Sequence, residues 1–403
     1  MKISGLSLIL LVSGVLAPGC GPEPGDSARE LSAYYPPAES AGGWRKNTDP
    51  QFVRSLGLDP DKLEEFGRYN LSVPNSGWMP YAGYKGILVI RRGWVVGEWY
   101  NVPGAATFRT YISSNGKSFA LACFGIMNED SRSGRLGLEI GPDSKVYDPR
   151  WLPQGYPLSD SLKALITFEQ VFRHTSGLCP ERKSSGEEVE MGRNEWTDYT
   201  DWVLGHDSRW PQTAGLYFRP GHPEDFEARD AWGMVSSSYS SVGFCHLGLV
   251  LQNVYGKPAG DFLWERLLGP LGFSGIDYHA PPGPGIRWFS AGGLRVTPRE
   301  YARFAYLLLR DGRWGDSRLV PASWIRRFRT SPLYPNMRSN ADGYFGEQYP
   351  KDMFRIAGSG LNWAYIVPSL DLIALRTGRG HNEMWEEVRG KFLEKIFAAV
   401  TDR

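Results

Sequence analysis

Residues 111–127 read Tyr-Ile-Ser-Ser-Asn-Gly-Lys-Ser-Phe-Ala-Leu-Ala-Cys-Phe-Gly-Ile-Met. This stretch holds the only Ser-x-x-Lys of the chain, formed by Ser114 and Lys117. A short polar segment is followed by apolar residues at helical spacing, namely Phe119, Ala122, Cys123 and Ile126. The pattern predicts that Ser114 lies on the first turn of a helix, with Lys117 one turn later on the same face.

A serine followed by a lysine in this way suits acyl transfer. A serine hydroxyl is a poor nucleophile until a neighbouring base takes its proton. A buried lysine can be that base, because desolvation disfavours its charged form. The start of a helix adds unpaired N–H groups where negative charge would develop. The motif is short, however, and a Ser114 that only caps a surface helix would match it equally well.

Composition places the chain among packed globular proteins. Its 403 residues are enough for one large domain or two medium ones, and the hydrophobic content of 41% and charged content of 22% are ordinary. The net charge is +1 and no run of basic residues occurs, so a nucleic-acid partner is not expected.

The N-terminus has the form of an export signal. In residues 1–19, Lys2 precedes an apolar run at residues 6–15, which is too short to span a membrane. Residues 16–20, Leu-Ala-Pro-Gly-Cys, resemble a bacterial lipobox, although Ala17 and Pro18 depart from it. We therefore expect export to the periplasm or cell envelope with Cys20 lipidated; plain secretion is the alternative. Residues 20–45 are predicted to be a flexible tether and residues 46–403 the folded domain.

Metal and disulfide chemistry find little support. Beyond Cys20 the chain has only Cys123, Cys179 and Cys245, without a Cys-x-x-Cys pair. At most one disulfide could form, and buried free thiols are favoured. The six histidines show no metal-ligand spacing, so we predict neither a metal nor another cofactor.

Strand patterns lie near both ends of the chain. Residues 86–100 predict a β-hairpin with a turn at Arg92-Gly93, and residues 363–377 predict a second one. Between them the pattern is mostly helical, with capping boxes at Thr167 and Thr297 and helices over 243–255 and 258–268. A last helix is predicted over 383–400. The expected fold is α+β: one antiparallel sheet formed from both chain ends, flanked by helices, with a mostly helical inserted region. Residues 180–235 are predicted to be an insertion or lid.

Four segments follow the Ser-x-x-Lys in order. They are residues 172–178 (Phe-Arg-His-Thr-Ser-Gly-Leu), 239–241 (Tyr-Ser-Ser), 291–294 (Ala-Gly-Gly-Leu) and 356–360 (Ile-Ala-Gly-Ser-Gly). Together the five segments resemble the serine β-lactamase superfamily, in its branch of class C β-lactamases, DD-peptidases and esterases, which includes the 6-aminohexanoate-dimer hydrolases. The resemblance implies a β-lactamase-like fold over about residues 80–400.

The resemblance also implies roles. Ser114 would be the acyl-forming nucleophile, and Lys117 would take its proton. Tyr239 would act with Lys117 as general base and then protonate the leaving group. The backbone N–H groups of Ser114 and Ser359 would form the oxyanion hole.

The substrate-binding segments carry two departures from the family pattern. Gly358 and Gly360 fit a backbone that approaches the substrate closely. Ser241, however, stands where the family has asparagine. Ile356 stands where β-lactamases and DD-peptidases carry a lysine that binds a substrate carboxylate. The hydrolases of linear amides and esters in this branch commonly lack that lysine.

Two other patterns in the sequence each allow two interpretations. His174 and Ser176 suggest a catalytic triad, but no Gly-x-Ser-x-Gly elbow occurs in the chain, so we interpret their loop as structural. The spacing of Trp196, Tyr199 and Trp202 indicates the core face of a helix, with a lining of the substrate cleft as the alternative.

These inferences predict an exported serine hydrolase that cleaves small-molecule esters or linear amides through an acyl-enzyme on Ser114. A DD-peptidase or β-lactamase is the first alternative, and Ile356 argues against it. A non-catalytic binding or sensor protein is the second, and the presence of Ser114, Lys117 and Tyr239 together argues against it.

Overall fold

A computed structural model describes residues 34–75, 83–192, 198–226, 238–278 and 286–402. The predicted signal segment and Cys20 lie outside these residues. Within the described ranges, no helix has both the length and the apolar character needed to cross a membrane.

The described helices and strands occur in runs along the chain rather than in strict alternation. The helices are α1 (Pro50–Ser55), α2 (Pro60–Ser72), α3 (Gly116–Arg132), α4 (Phe168–Phe172), α5 (Tyr199–Leu204), α6 (Ser241–Tyr255), α7 (Ala259–Leu263), α8 (Pro298–Leu309), α9 (Ala322–Arg329) and α10 (Trp385–Ala399). The strands are β1 (Gly86–Arg91), β2 (Trp94–Tyr100), β3 (Thr110–Tyr111), β4 (Asp277–Tyr278), β5 (Leu294–Val296), β6 (Arg313–Trp314), β7 (Ser317–Arg318), β8 (Met337–Ser339), β9 (Phe354–Gly358), β10 (Asn362–Val367) and β11 (Leu372–Thr377).

Both chain ends contribute to one six-stranded sheet, with the order β2-β1-β11-β10-β9-β8. Its neighbouring strands run antiparallel. The N-terminal hairpin joins the C-terminal strands where Gly86 pairs with Thr377 and Arg91 with Leu372. Both predicted hairpins are confirmed, and so is the sheet assembled from the two ends.

The hairpin between β1 and β2 turns on two residues with left-handed backbone angles. Arg92 has φ of 49° and Gly93 has φ of 74°. Two positive φ values in succession give the twist that a tight antiparallel hairpin needs, and glycine adopts one of them without a Cβ clash.

Helices cover both faces of the sheet. Alternate side chains of β1 and β10, such as Ile87 and Trp363, pack with Phe66 of α2 and Phe392 of α10 in one core cluster. The intervening side chains point the other way and are equally buried, because α8 packs across β1, β10 and β11 on that face. Because both of their faces are buried, the central strands β1, β10 and β11 have mostly apolar sequences rather than alternating apolar and polar residues.

The helical region follows most of the sequence patterns. The capping boxes at Thr167 and Thr297 are both formed. Helix α6 ends at Gly256, with φ of 62°, as the pattern predicted. The helix predicted over 258–268 is instead α7 followed by a π-helical turn, Trp264–Leu268. The described cysteines, Cys123, Cys179 and Cys245, are buried thiols that are not joined in a disulfide with one another.

The aromatic pattern near residue 200 belongs to the core. Tyr199 and Trp202 on α5 are buried and pack around Phe289. Trp196 lies outside the described residues. The core interpretation is therefore confirmed for the two described members.

The predicted tether extends too far at its C-terminal end. Residues 35–45 already pack on the domain. The fully buried guanidinium of Arg303 donates to the carbonyl oxygens of Pro36, at 3.0 Å, and Pro37, and pairs with Glu39 at 2.8 Å. A buried cation needs acceptors, and this proline-rich segment supplies them. The proline- and serine-rich composition of residues 20–45 did not predict these contacts with Arg303.

Candidate active site

Ser114 lies on a short 3-10 turn, Ser113–Asn115, that leads directly into α3. The turn is held from both sides: the Asn115 amide donates to Asn362 O at 3.1 Å, and Tyr301 donates to Asn115 Oδ1 at 2.6 Å. Ser113 has φ of 52°, an uncommon angle for a non-glycine residue. This anchored, strained turn presents the half-buried Ser114 at the start of the helix.

Lys117 is fully buried one turn further along α3. Its Nζ donates to Ala291 O at 2.8 Å, to Ser241 Oγ at 3.1 Å and to Ser114 Oγ at 3.3 Å. An ammonium group has three N–H donors, and these three oxygens match them. The predicted contact between Ser114 and Lys117 is therefore present in the structure.

Tyr239 lies just before α6, and its ring faces the Lys117 ammonium group. The centre of its ring is 4.7 Å from Lys117 Nζ, within cation–π range. Its hydroxyl oxygen is 3.1 Å from the side chain of Asn336. Like Ser114 the tyrosine is half-buried, whereas Lys117 between them is fully buried.

Close backbone packing brings two glycine segments to the same turn. A Cβ at Gly358, the last residue of β9, would lie 2.3 Å from Ile112 O. A Cβ at Gly116 would lie 2.2 Å from Gly292 O. Only glycine permits these approaches, which set the ends of β9 and of the Ala-Gly-Gly-Leu segment beside Ser114.

The comparisons with known proteins agree with this arrangement. A sequence model of the Beta-lactamase family matches residues 85–377, which is more than half of the chain. The chain belongs to the Beta-lactamase family. No curated protein matches it by sequence.

Solved structures with the same fold include several hydrolases. EstCE1, a hydrolase with promiscuous acyltransferase activity, has a TM-score of 0.59 and 16% identity, with 87% of this chain and 100% of that chain covered. A family VIII carboxylesterase has a TM-score of 0.56 and 16% identity, covering 84% and 97%. A Bacillus anthracis protein provisionally named a 6-aminohexanoate-dimer hydrolase has a TM-score of 0.53 and 18% identity, covering 90% and 87%. At these identities the likeness shows the β-lactamase fold, and with the family match it makes the chain a serine hydrolase of that fold.

Ser241, where the family has asparagine, is part of a chain of polar contacts. Its hydroxyl accepts from Lys117 and donates to the carboxylate of Glu181. The Glu181 backbone N–H donates to Tyr239 O at 2.7 Å, which fixes the loop beside the site. Lys117 is thus linked to the Glu181 carboxylate through the Ser241 hydroxyl. The predicted role of Ser241 in substrate binding stays a prediction.

The remaining predicted site residues lie along and after β9. Ile356 is fully buried, so its side chain is not exposed to a substrate. At this position the chain lacks the lysine of β-lactamases and DD-peptidases. Ser359 is exposed, and Gly360 has φ of 82° with its N–H 2.8 Å from Asn382 Oδ1. The parts of Ile356, Gly358, Ser359 and Gly360 in substrate binding or in the oxyanion hole stay predictions.

His174 contacts the site but does not form a triad. Its ring stacks on Tyr239, with centroids 4.1 Å apart, and its two nitrogens lie 2.9 Å from Ser240 N and 2.9 Å from Asn336 Nδ2. Burial, and then the nearby charge of Lys117, holds the pKa of His174 well below its usual range. The loop is therefore structural, as interpreted, but it supports Tyr239 directly.

Sequence reasoning missed three contributors: Glu181, Asn336 and the carbonyl oxygen of Ala291. Glu181 and Asn336 belong to no motif, and they reach the site only through long-range packing. Ala291 lies in a recognised motif, but its contribution is a backbone atom. Among the described residues, no group of three or more His, Cys, Asp or Glu side chains is arranged to hold a metal ion.

Proposed function

We propose that this protein hydrolyses small neutral esters or linear amides through an acyl-enzyme on Ser114. The observation that carries the proposal is that neither the side chain bonded to the Tyr239 hydroxyl nor the residue at the family's lysine position is charged. The side chain that reaches this hydroxyl is Asn336, and on the neighbouring strand β9 the buried Ile356 occupies the family's lysine position. At that position a substrate carboxylate would find no cation.

The proposed reaction begins with attack of Ser114 Oγ on the acyl carbon. The hydroxyl proton passes to the Lys117–Tyr239 pair, which lies beside the nucleophile. The developing oxyanion accepts from the backbone N–H groups of Ser114 and Ser359. Tyr239 then returns a proton to the leaving alcohol or amine as the carbon–oxygen or carbon–nitrogen bond breaks. A water molecule, deprotonated by the same pair, hydrolyses the acyl-enzyme.

Substrate choice gives the sharpest test. A charge-assisted hydrogen bond contributes about 1.5–3 kcal/mol, or roughly one to two orders of magnitude in binding. We expect p-nitrophenyl esters or a linear amide dimer to be cleaved at least tenfold more efficiently, by kcat/KM, than nitrocefin or a D-Ala-D-Ala peptide. Higher activity on nitrocefin or the peptide would contradict the proposal and favour a β-lactamase or DD-peptidase. No turnover of any of these substrates would favour a binding protein.

Covalent labelling tests the nucleophile independently of the substrate. A fluorophosphonate probe should attach at Ser114, and Ser114→Ala should lose both labelling and turnover while its melting temperature stays near that of the wild type. Ser176→Ala is the matched control, because the Ser176 hydroxyl accepts a local bond from Leu178 N at 3.3 Å and has no part in the proposed mechanism. Loss of labelling in this control, with Ser114→Ala still labelled, would overturn the assignment of the nucleophile.

We also propose that the protein is exported and anchored through a lipidated Cys20. The support is the apolar run and lipobox-like sequence of residues 1–20. Metabolic labelling with a fatty acid should mark the wild-type protein and not Cys20→Ala. Equal fractionation of both proteins as soluble, unlabelled material would leave plain secretion as the explanation.

A further inference from the structure

Asn336 sits between two aromatic rings of the site. One end of its side-chain amide, Oδ1, lies 3.1 Å from the Tyr239 hydroxyl oxygen, and the other, Nδ2, lies 2.9 Å from His174 Nε2. The two ends of an amide have the same shape, so the surrounding hydrogen bonds decide which end is the oxygen.

The His174 ring settles that choice. Its Nδ1 lies 2.9 Å from the backbone nitrogen of Ser240, and a backbone N–H can only donate. Nδ1 therefore carries no proton. The ring is buried, and burial together with Lys117 keeps its pKa low, so the imidazole is neutral. A neutral imidazole has one N–H, which must then be on Nε2.

An N–H on Nε2 needs an acceptor at 2.9 Å, and the Asn336 side chain is the group at that position. Two donors would otherwise face each other in a buried site, which costs the full desolvation of both groups. The amide oxygen must therefore face His174, and the amide NH2 must face Tyr239.

We infer that Asn336 donates an N–H to the Tyr239 oxygen and acts as a positioning residue that stabilises this tyrosine in its ionised form. The inference rests on the proposed function, in which Tyr239 accepts a proton. Hydrogen bonds to an ionised group are stronger than those between neutral groups, so the N–H favours the phenolate over the phenol.

The nearby charges act in opposite directions, because the Lys117 ammonium favours the ionised tyrosine and the Glu181 carboxylate disfavours it. Among the described residues, the charged groups at Tyr239 are Lys117, with Nζ 4.7 Å from the ring centre, and Glu181, whose backbone N–H holds the tyrosine carbonyl. Ser118 of α3 donates its hydroxyl to Asn336 O at 2.8 Å, which ties the asparagine backbone to the lysine-bearing helix. Asn336 is only 3% exposed, so water does not compete for its amide.

The tautomer of His174 tests the amide orientation without any need for activity. Nitrogen-15 NMR of the wild-type protein, with His174→Asn used to assign the signal, should show a proton on Nε2. His246 supplies an internal reference of the opposite kind, because its Nδ1 lies 2.9 Å from Val242 O and must donate to it. A proton on Nδ1 of His174 would overturn the inference.

The pH dependence of Ser114 phosphonylation by a fluorophosphonate tests the role in catalysis. Asn336→Ala removes the donor, so the acidic limb should move up by about one pH unit, or tenfold in rate on the limb. Asn336→Asp replaces the donor by an acceptor, so its limb should move further in the same direction. Asn253→Ala, an amide deletion towards the far end of α6, should leave the limb in place.

The opposite amide orientation predicts the opposite sign. There the asparagine oxygen would hold the tyrosine in its neutral form, so Asn336→Ala would move the limb down. A downward or absent shift in a folded variant therefore overturns the role. If the wild-type protein is not labelled at all, the proposed function fails and with it the catalytic role, while an Nε2 proton on His174 would still establish the amide orientation.

Discussion

At the scale of single residues, the site is built around one buried ammonium group, that of Lys117, whose Nζ donates to three oxygens. Lys117 Nζ also lies 4.7 Å from the centre of the Tyr239 ring, within cation–π range. The nucleophile touches the same amine. In the proposed mechanism the lysine and the tyrosine handle one proton, so the two residues should behave as one unit.

This coupling predicts strong non-additivity between Lys117 and Tyr239. Lys117→Met and Tyr239→Phe should each lower kcat/KM by about 10²–10⁴-fold, and the double variant should be little worse than the poorer single one. Tyr239→Phe keeps the ring that stacks on His174, so its melting temperature should change little. Multiplying effects in the double-mutant cycle would show that Tyr239 acts through structure alone.

At the scale of elements, the site forms where the end of strand β9 meets the turn before helix α3. The contact is between backbones, since the Gly358 Cα approaches Ile112 O and Asn115 N too closely for a side chain. Ser359 follows directly and carries the proposed second oxyanion N–H. The strand and the turn must therefore keep their separation for the two N–H groups to converge.

Gly358→Ala is expected to damage the site and the fold together. Its Cβ would fall 2.3 Å from Ile112 O, so the strand or the turn must shift. We expect kcat/KM to fall at least tenfold, with a lower melting temperature. Gly390→Ala on α10 is the matched control, because nothing lies within 4 Å of its Cβ and alanine favours a helix by about 1 kcal/mol. A harmless Gly358→Ala would mean that the close approach is not needed for activity.

At the scale of the whole molecule, buried neutral histidines make stability depend on pH. His246 in α6 is fully buried, accepts from Tyr147 at 2.8 Å and donates to Val242 O. Burial lowers its pKa to about 4. The unfolded chain, with an ordinary histidine pKa of about 6.5, therefore binds more protons between these values, and folding is disfavoured as the pH falls through that window.

The expected loss from His246 is roughly 3 kcal/mol between pH 7 and pH 4. Urea unfolding of the wild-type protein at pH 7, 5.5 and 4 should show the free energy of unfolding falling through this range. His246→Gln should be less stable at pH 7 but lose less on acidification; His174 contributes with the same sign and remains in both proteins. An identical pH dependence in the two proteins would contradict the low pKa of His246.

The fold was readable from the sequence where patterns are local. Alternating and continuous apolar runs predicted both hairpins and the last helix, and the capping boxes at Thr167 and Thr297 predicted two helix starts. Local patterns gave the wrong result where a segment packs against a residue that is distant in the sequence. Residues 35–45 have the composition of a linker, but they supply hydrogen-bond acceptors for the buried Arg303. The change from α-helix to π-helix at Trp264 has no signal in the apolar spacing.

The sequence by itself determined the nucleophile motif, its helix and the order of the segments that resemble the family, because spacing along a helix or turn is set by covalent geometry. Only the tertiary structure placed Asn336, Glu181 and His174 around Tyr239 and Lys117. Asn336 lies in the turn before the edge strand β8 and Glu181 in a loop, and no local pattern marks either of them; His174 lies in a recognised segment, but that segment does not reveal its contact with Tyr239. Their positions follow from which buried polar groups need partners, and that is decided only when distant segments pack together.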